Sequence, residues 1–163
     1  MKTLLILRHA KSSWSNPGLA DIDRPLNKRG KRDAPRMGAL LLEQELVPDI
    51  ILCSPAVRAR KTTKAISDGS GYEGEIEIND DFYPGDPDTF IETLYSIPDQ
   101  IETVMIVAHN PGLEELLYVL TGESARMPTS ALAQVSLPIN KWVELDDESE
   151  GKLINLWRVK ELT

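Results

Sequence analysis

Leu4-Leu5-Ile6-Leu7-Arg8-His9-Ala10 and Val104-Met105-Ile106-Val107-Ala108-His109-Asn110 decide how this chain is read. Each is an apolar run that ends on a histidine, and these are the only two histidines among 163 residues. Short continuous apolar runs fit strands of a parallel sheet covered on both faces. In open α/β sheets, ligands bind outside the carboxyl ends of the strands. Two such strands, each ending on a histidine and one of them on Arg-His, predict a single shared site.

Working outward, strands and helices alternate, which predicts an α/β fold with a largely parallel sheet. Strands are read at 3–7, 49–53, 75–78 (an edge strand) and 103–108, with an antiparallel pair at 131–137 and 152–160. Asn27 is read as the N-cap of a helix whose apolar stripe is Ala34, Met37, Leu40, Leu41 and Leu42, stopped by Val47-Pro48. Ser54 as N-cap and Pro55 at the first helical position start a second helix, ending near Gly69. A short helix follows the Tyr83-Pro84-Gly85-Asp86 loop, and Asn110-Pro111-Gly112 opens another. The acidic stretch 146–151 reads as a solvated hairpin tip. No repeat or linker divides the chain, so residues 1–163 are expected to form one domain.

The apolar share of 41% and charged share of 27% are ordinary for a soluble globule. No apolar stretch reaches the length of a membrane span, and the four-residue run before Arg8 is too short for a signal peptide. A cytoplasmic protein is expected. Eighteen Lys and Arg against 26 Asp and Glu give a net charge of −8. Such a surface repels a phosphate backbone, so nucleic acid is not an expected partner. An anion site must then be built locally from a few cations. Cys53, the single cysteine, excludes an internal disulfide and reads as a small core residue at a strand end.

Arg58 falls in the first turn of the helix that Ser54-Pro55 starts, where the macrodipole disfavours a cation. A ligand explains it better: a helix N-terminus already favours an anion, and Arg8 and Arg58 supply two fork-shaped donors for phosphoryl oxygens. Arg60, Lys61 and Lys64 read as solvated. Two histidines and two arginines around a phosphate predict nucleophilic catalysis, in which a neutral imidazole takes the phosphoryl group and water releases it. No His-x-x-x-His or Cys-x-x-Cys spacing predicts a metal, and no cofactor is expected. The Gly-rich phosphate loops and the Gly-x-Ser-x-Gly elbow are missing. An arginine six positions after Cys53, as cysteine-based phosphatases require, is also missing, because Ala59 stands there. Trp14, Trp142 and Trp157 could form a binding surface, although Trp157 alternates with Leu156 and Val159 as a core residue would.

These residues resemble the histidine phosphatase superfamily. Leu4–His9 with Ala10-Lys11-Ser12-Ser13-Trp14 is similar to its opening motif. The segments Arg24-Pro25-Leu26-Asn27-Lys28-Arg29-Gly30, Cys53-Ser54-Pro55-Ala56-Val57-Arg58-Ala59 and Val107-Ala108-His109-Asn110-Pro111 resemble later motifs in the same order. The length and the Arg-His-Ala-Lys-Ser-Ser-Trp opening look like the SixA branch of phosphohistidine phosphatases. The resemblance implies a three-layer α/β/α sandwich of the phosphoglycerate mutase-like type. It implies His9 as the phosphorylated nucleophile, with Arg8, Arg58 and His109 completing the phosphate pocket.

The chain also departs from the family pattern. Ala10 and Lys11 stand where the commonest opening has Gly and an acid, so the turn after His9 must suit an ordinary residue. Ser15 stands where mutase-like members carry Asn. Larger members use a mid-chain glutamate as proton donor; no equivalent glutamate is placed here. Asp80, Asp81, Asp86 and Asp88 lie in that region and each also reads as a loop or cap residue, and Asp86 is the choice. An alkoxide leaving group needs a positioned acid, whereas a phosphohistidine has a labile N–P bond. The expected substrate is therefore a phosphorylated protein carrying phosphohistidine, hydrolysed by a monomeric enzyme. The alternatives are a small phosphate ester as substrate, or a non-catalytic phosphate-binding module.

Overall fold

The computed structural model describes residues 1–146 and 150–162. Its strands are β1 (Lys2–Arg8), β2 (Ile50–Cys53), β3 (Glu75–Ile78), β4 (Thr103–Ala108), β5 (Leu132–Leu137) and β6 (Lys152–Trp157). Its α-helices are α1 (Lys28–Glu43), α2 (Val57–Ser70), α3 (Pro87–Leu94) and α4 (Gly112–Thr121). One six-stranded sheet runs in the order β3-β2-β4-β1-β5-β6. β1, β2, β3 and β4 pair in parallel, while β5 runs antiparallel to both β1 and β6. Only β5 opposes the common direction, so the expectation of a mostly parallel sheet holds.

Strand periodicity sorts the central side chains into two cores. Leu4, Ile6, Leu52, Val104 and Ile106 pack on one face with residues of α3 and α4. Leu5, Leu7, Ile51, Met105 and Val107 pack on the other with Met37, Leu40 and Leu41 of α1 and Ala59 and Ile66 of α2. Two helices on each face make the three-layer α/β/α sandwich. Burial on both faces is why these strands carry no polar alternation.

The sheet also sets the register of the site. Arg8 of β1 is directly paired with Ala108 of β4, and the next backbone bond runs from the His9 N–H to the Ala108 carbonyl (3.2 Å). The two histidines therefore leave the sheet side by side.

Several boundaries differ from expectation. Helix α1 ends at Glu43, ahead of Val47-Pro48, and the chain reverses through Glu45 in the left-handed region (φ 56°). Leu42 lies on its exposed side rather than in the stripe. Helix α2 starts later than read: Ala56 is its N-cap, and Ser54 and Pro55 precede it. The Ser54 hydroxyl does accept the Ala56 N–H (3.2 Å), but its other contact is with His109. Half of the acidic stretch 146–151, residues 147–149, lies outside the described residues. Cys53 is buried, as expected, and burial raises its thiol pKa to about 11. Trp142 is fully buried, Trp157 packs against the second core, and Trp14 is 72% exposed, so the three tryptophans form no common surface. Among the described residues no helix is long and apolar enough to cross a membrane.

Candidate active site

A cavity of about 190 Å³ opens at the carboxyl ends of β1 and β4, lined by Arg8, His9, Arg58, His109, Arg24 and Lys11 among others. The four site residues read from the sequence (Arg8, His9, Arg58 and His109) thus meet in one place. The imidazole centroids of His9 and His109 are 5.0 Å apart, close to the spacing of adjacent strands.

The loop after His9 is held from two sides. The Ala10 N–H donates to Thr62 Oγ1 (2.9 Å), and that hydroxyl donates to the Arg58 carbonyl (2.7 Å). The 24–27 segment then pairs back: Ser13 N–H donates to the Pro25 carbonyl and Asn27 N–H to that of Lys11. Asn27 caps α1 through the Gly30 N–H (2.8 Å). A Cβ on Gly30 would stand 2.1 Å from the Lys11 carbonyl oxygen, so only glycine lets α1 approach this loop. Ala10 keeps an ordinary negative φ, since the positive-φ non-glycine residues are Glu45 and Ser130. The departure from Gly at this position is thereby accommodated.

Hydrogen bonding fixes the proton on His9. Its Nδ1 lies 2.7 Å from the Ala10 carbonyl oxygen. A carbonyl only accepts, so Nδ1 carries the hydrogen and the lone pair is on Nε2. Burial lowers the His9 pKa to about 3, helped by the nearby cations, and the ring is neutral at pH 7. His109 presents Nε2 to Ser54 Oγ at 2.7 Å, while its Nδ1 is buried without a protein partner. With the Ser54 hydroxyl proton donated to Nε2, Nδ1 bears an N–H that has no protein acceptor. Burial and Arg58 lower the His109 pKa to about 4.

The arginines are anchored. Arg8 donates through Nη1 to the Met127 carbonyl (3.1 Å), and its Nε is buried and unpartnered. Arg58 donates to Asp21 twice, from Nη1 to the carbonyl (2.7 Å) and from Nη2 to Oδ2 (3.0 Å). Asp21 lies in a 3-10 turn, Asp21–Asp23, and was missed by the sequence reading. It also binds Arg24 Nε at Oδ1 (3.1 Å) and accepts the Tyr83 hydroxyl at Oδ2 (2.5 Å). The Tyr83 hydrogen bond and Arg58 hold its carboxyl down to about 2. Tyr83 in turn stands edge-on to His109, with centroids 5.5 Å apart, and Arg24 stacks 3.4 Å over Trp14. The i,i+3 spacing of Asp21 and Arg24 was the available signal for this pair. Nothing local marks Tyr83.

Asp86 requires correction. Its side chain accepts the Thr89 N–H (2.8 Å) as the N-cap of α3, and it does not line the cavity. That hydrogen bond lowers its pKa, the opposite of what a proton donor needs. Among the described residues no group of three or more His, Cys, Asp or Glu stands together as a metal site. Chemically, the cavity combines a neutral imidazole lone pair, a second imidazole donor and fixed guanidinium charges, which suits a tetrahedral oxyanion.

Comparison with known proteins agrees with this geometry. Residues 4–83 match the model of the histidine phosphatase superfamily (branch 1). An uncharacterised chloroplastic protein of Arabidopsis thaliana is 35% identical over 155 residues, covering 88% of this chain and 70% of the relative. The crystal structure of a candidate phosphohistidine phosphatase SixA from Agrobacterium tumefaciens superposes with a TM-score of 0.83 at 29% identity, covering 96% of this chain and 97% of that one. The protein histidine phosphatase SixA, solved with tungstate, shares the fold with a TM-score of 0.85 at 24% identity over 99% of both chains. From sequence, fold and strand-end histidines alike, this chain belongs to the histidine phosphatase superfamily, among its SixA-like members.

Proposed function

We propose that the protein is a phosphohistidine phosphatase that hydrolyses the N–P bond of phosphohistidine on another protein. In this reading residues 1–163 act as one monomeric, cytoplasmic domain. The observation that carries the chemistry is the His9 ring, neutral, with Nδ1–H committed to the Ala10 carbonyl and Nε2 facing a cavity lined by arginines.

In the first step the Nε2 lone pair of His9 forms a bond to phosphorus as the bond from phosphorus to the substrate nitrogen breaks. The positive charge that develops on His9 is shared with the Ala10 carbonyl through Nδ1–H. Arg8, Arg58 and the His109 Nδ1–H take the charge of the equatorial oxygens, which is where preorganised donors act most strongly. In the second step water attacks the phosphorus, the Nε2–P bond breaks, and the protons of the water leave with inorganic phosphate. His9 returns with its lone pair on Nε2.

The preference for a nitrogen leaving group follows from the proton inventory. The titratable groups lining the cavity are Arg8, Lys11, Arg24, Arg58 and the two histidines. The nearby Asp21 is ionised and ion-paired, so it offers no proton to an alkoxide. A phosphohistidine protonated on its distal ring nitrogen departs as neutral imidazole and asks for none.

The test has two parts. Brief mixing with a phosphohistidine peptide and acid-free quenching is expected to trap one phosphoryl group on His9, and His9→Ala is expected to lose that adduct and at least ~10³-fold in turnover. Rates on the phosphohistidine peptide should exceed those on a sugar phosphate by orders of magnitude. Equal rates would remove the substrate assignment; an unphosphorylated His9 under turnover would remove the nucleophile.

A further inference from the structure

A second, larger cavity of about 550 Å³ adjoins the first, and Arg8 borders both. Arg126, Arg158 and Lys160 line it together with Glu114 and Glu161. Four cations against two carboxylates is an inversion of the charge balance in a chain of net charge −8. The two carboxylates are engaged within the wall itself. Glu114 Oε2 accepts the Met127 N–H (2.6 Å), and Glu161 faces Arg158 Nη1 at 3.5 Å. Arg126 and Lys160 have no carboxylate partner among the described residues.

The wall is also built rather than incidental. Arg158, just past β6, donates from Nε (3.2 Å) and Nη2 (2.9 Å) to the Arg126 carbonyl, tying the sheet edge to the loop before β5. In that same loop the Met127 carbonyl accepts Arg8 Nη1 and Asn110 Nδ2 (2.8 Å). One backbone segment therefore sets the position of Arg8 for the first cavity and of Arg126 for the second. We infer that the second cavity is an anion subsite that reads an acidic group on the same substrate molecule whose phosphoryl group enters the first. Its ligand chemistry is a carboxylate or phosphate oxygen cluster. With a protein substrate this is an Asp or Glu side chain near the phosphohistidine, so the inference rests in part on the proposed function.

The test compares wild type with the double variant Arg126→Ala, Lys160→Ala, neither residue lining the first cavity. Three probes are used: p-nitrophenyl phosphate, a phosphohistidine peptide flanked by Asp and Glu, and the same peptide with Asn and Gln. The double variant should lose about tenfold or more in kcat/KM on the acidic peptide, leaving the other two probes unchanged. Raised salt should erase the same preference in wild type. Equal loss on all three probes, or no loss on the acidic peptide, overturns the subsite. If neither phosphopeptide is hydrolysed while the aryl phosphate is, the protein-substrate reading fails by itself. A sugar bisphosphate measured against its monophosphate then decides the subsite: a preference lost in the double variant supports it, and no preference overturns it.

Discussion

His9 keeps its lone pair on Nε2 because of a single hydrogen bond, from its Nδ1 to the Ala10 carbonyl. Burial reinforces this by keeping the ring neutral down to about pH 3, and that of His109 down to about pH 4. The acidic limb of kcat/KM, which reports the free enzyme, should therefore fall well below the 6.5 of an ordinary histidine. A limb near 6.5 that tracks His9 would contradict the arrangement. Asp21 is the other decisive residue, since it holds Arg58, Arg24 and Tyr83 at once. Asp21→Asn keeps the shape and removes the charge. Its expected effect is a loss of about tenfold in kcat/KM as Arg58 loosens, measured on an aryl phosphate. Unchanged activity would mean that Arg58 is positioned without it.

At the scale of elements, the strands were legible and the helix starts less so. Continuous apolar runs gave β4 its bounds, 103–108, and β1 to within one residue at each end. Runs this short and bounded by polar residues fit a strand buried on both faces and are too short for a buried helix. Ser54-Pro55 misled because it carries the composition of a helix start, yet tertiary packing against His109 claims the hydroxyl. Asp21 was invisible for a related reason: its partner Arg58 is 37 residues away, brought near only by the packing of the 3-10 turn against α2. That Arg8, His9, Arg58 and His109 meet in one cavity could be read from pattern alone, since each sits at a strand end or helix start that the sheet topology places on the same rim. Asp86 fails as a proton donor because the start of α3 needs a cap there. Asp86→Ala should consequently lower the melting temperature and leave kcat/KM unchanged on a phosphohistidine peptide. A selective loss of turnover with no thermal effect would restore the catalytic role.

For the whole molecule, two buried neutral histidines couple stability to pH. Their folded pKa values, about 3 and about 4, lie below the unfolded value of 6.5. Between these limits the unfolded chain binds more protons, so stability is full above pH 6.5 and falls as the pH drops toward 4. Urea midpoints measured across this window should decline, and His109→Asn should flatten the decline. A midpoint independent of pH from 7 to 4 would show that the rings are not buried as described.

The backbone bond between the His9 N–H and the Ala108 carbonyl continues the ladder of the two most central strands. His9 and His109, a hundred positions apart in the chain, are thus spaced by a bond of the sheet itself and not by a loop that opens and shuts. Such a bond breaks only when the sheet does. The two histidines should then part only with the central sheet, so heat or denaturant is expected to separate them at the midpoint at which the structure itself is lost.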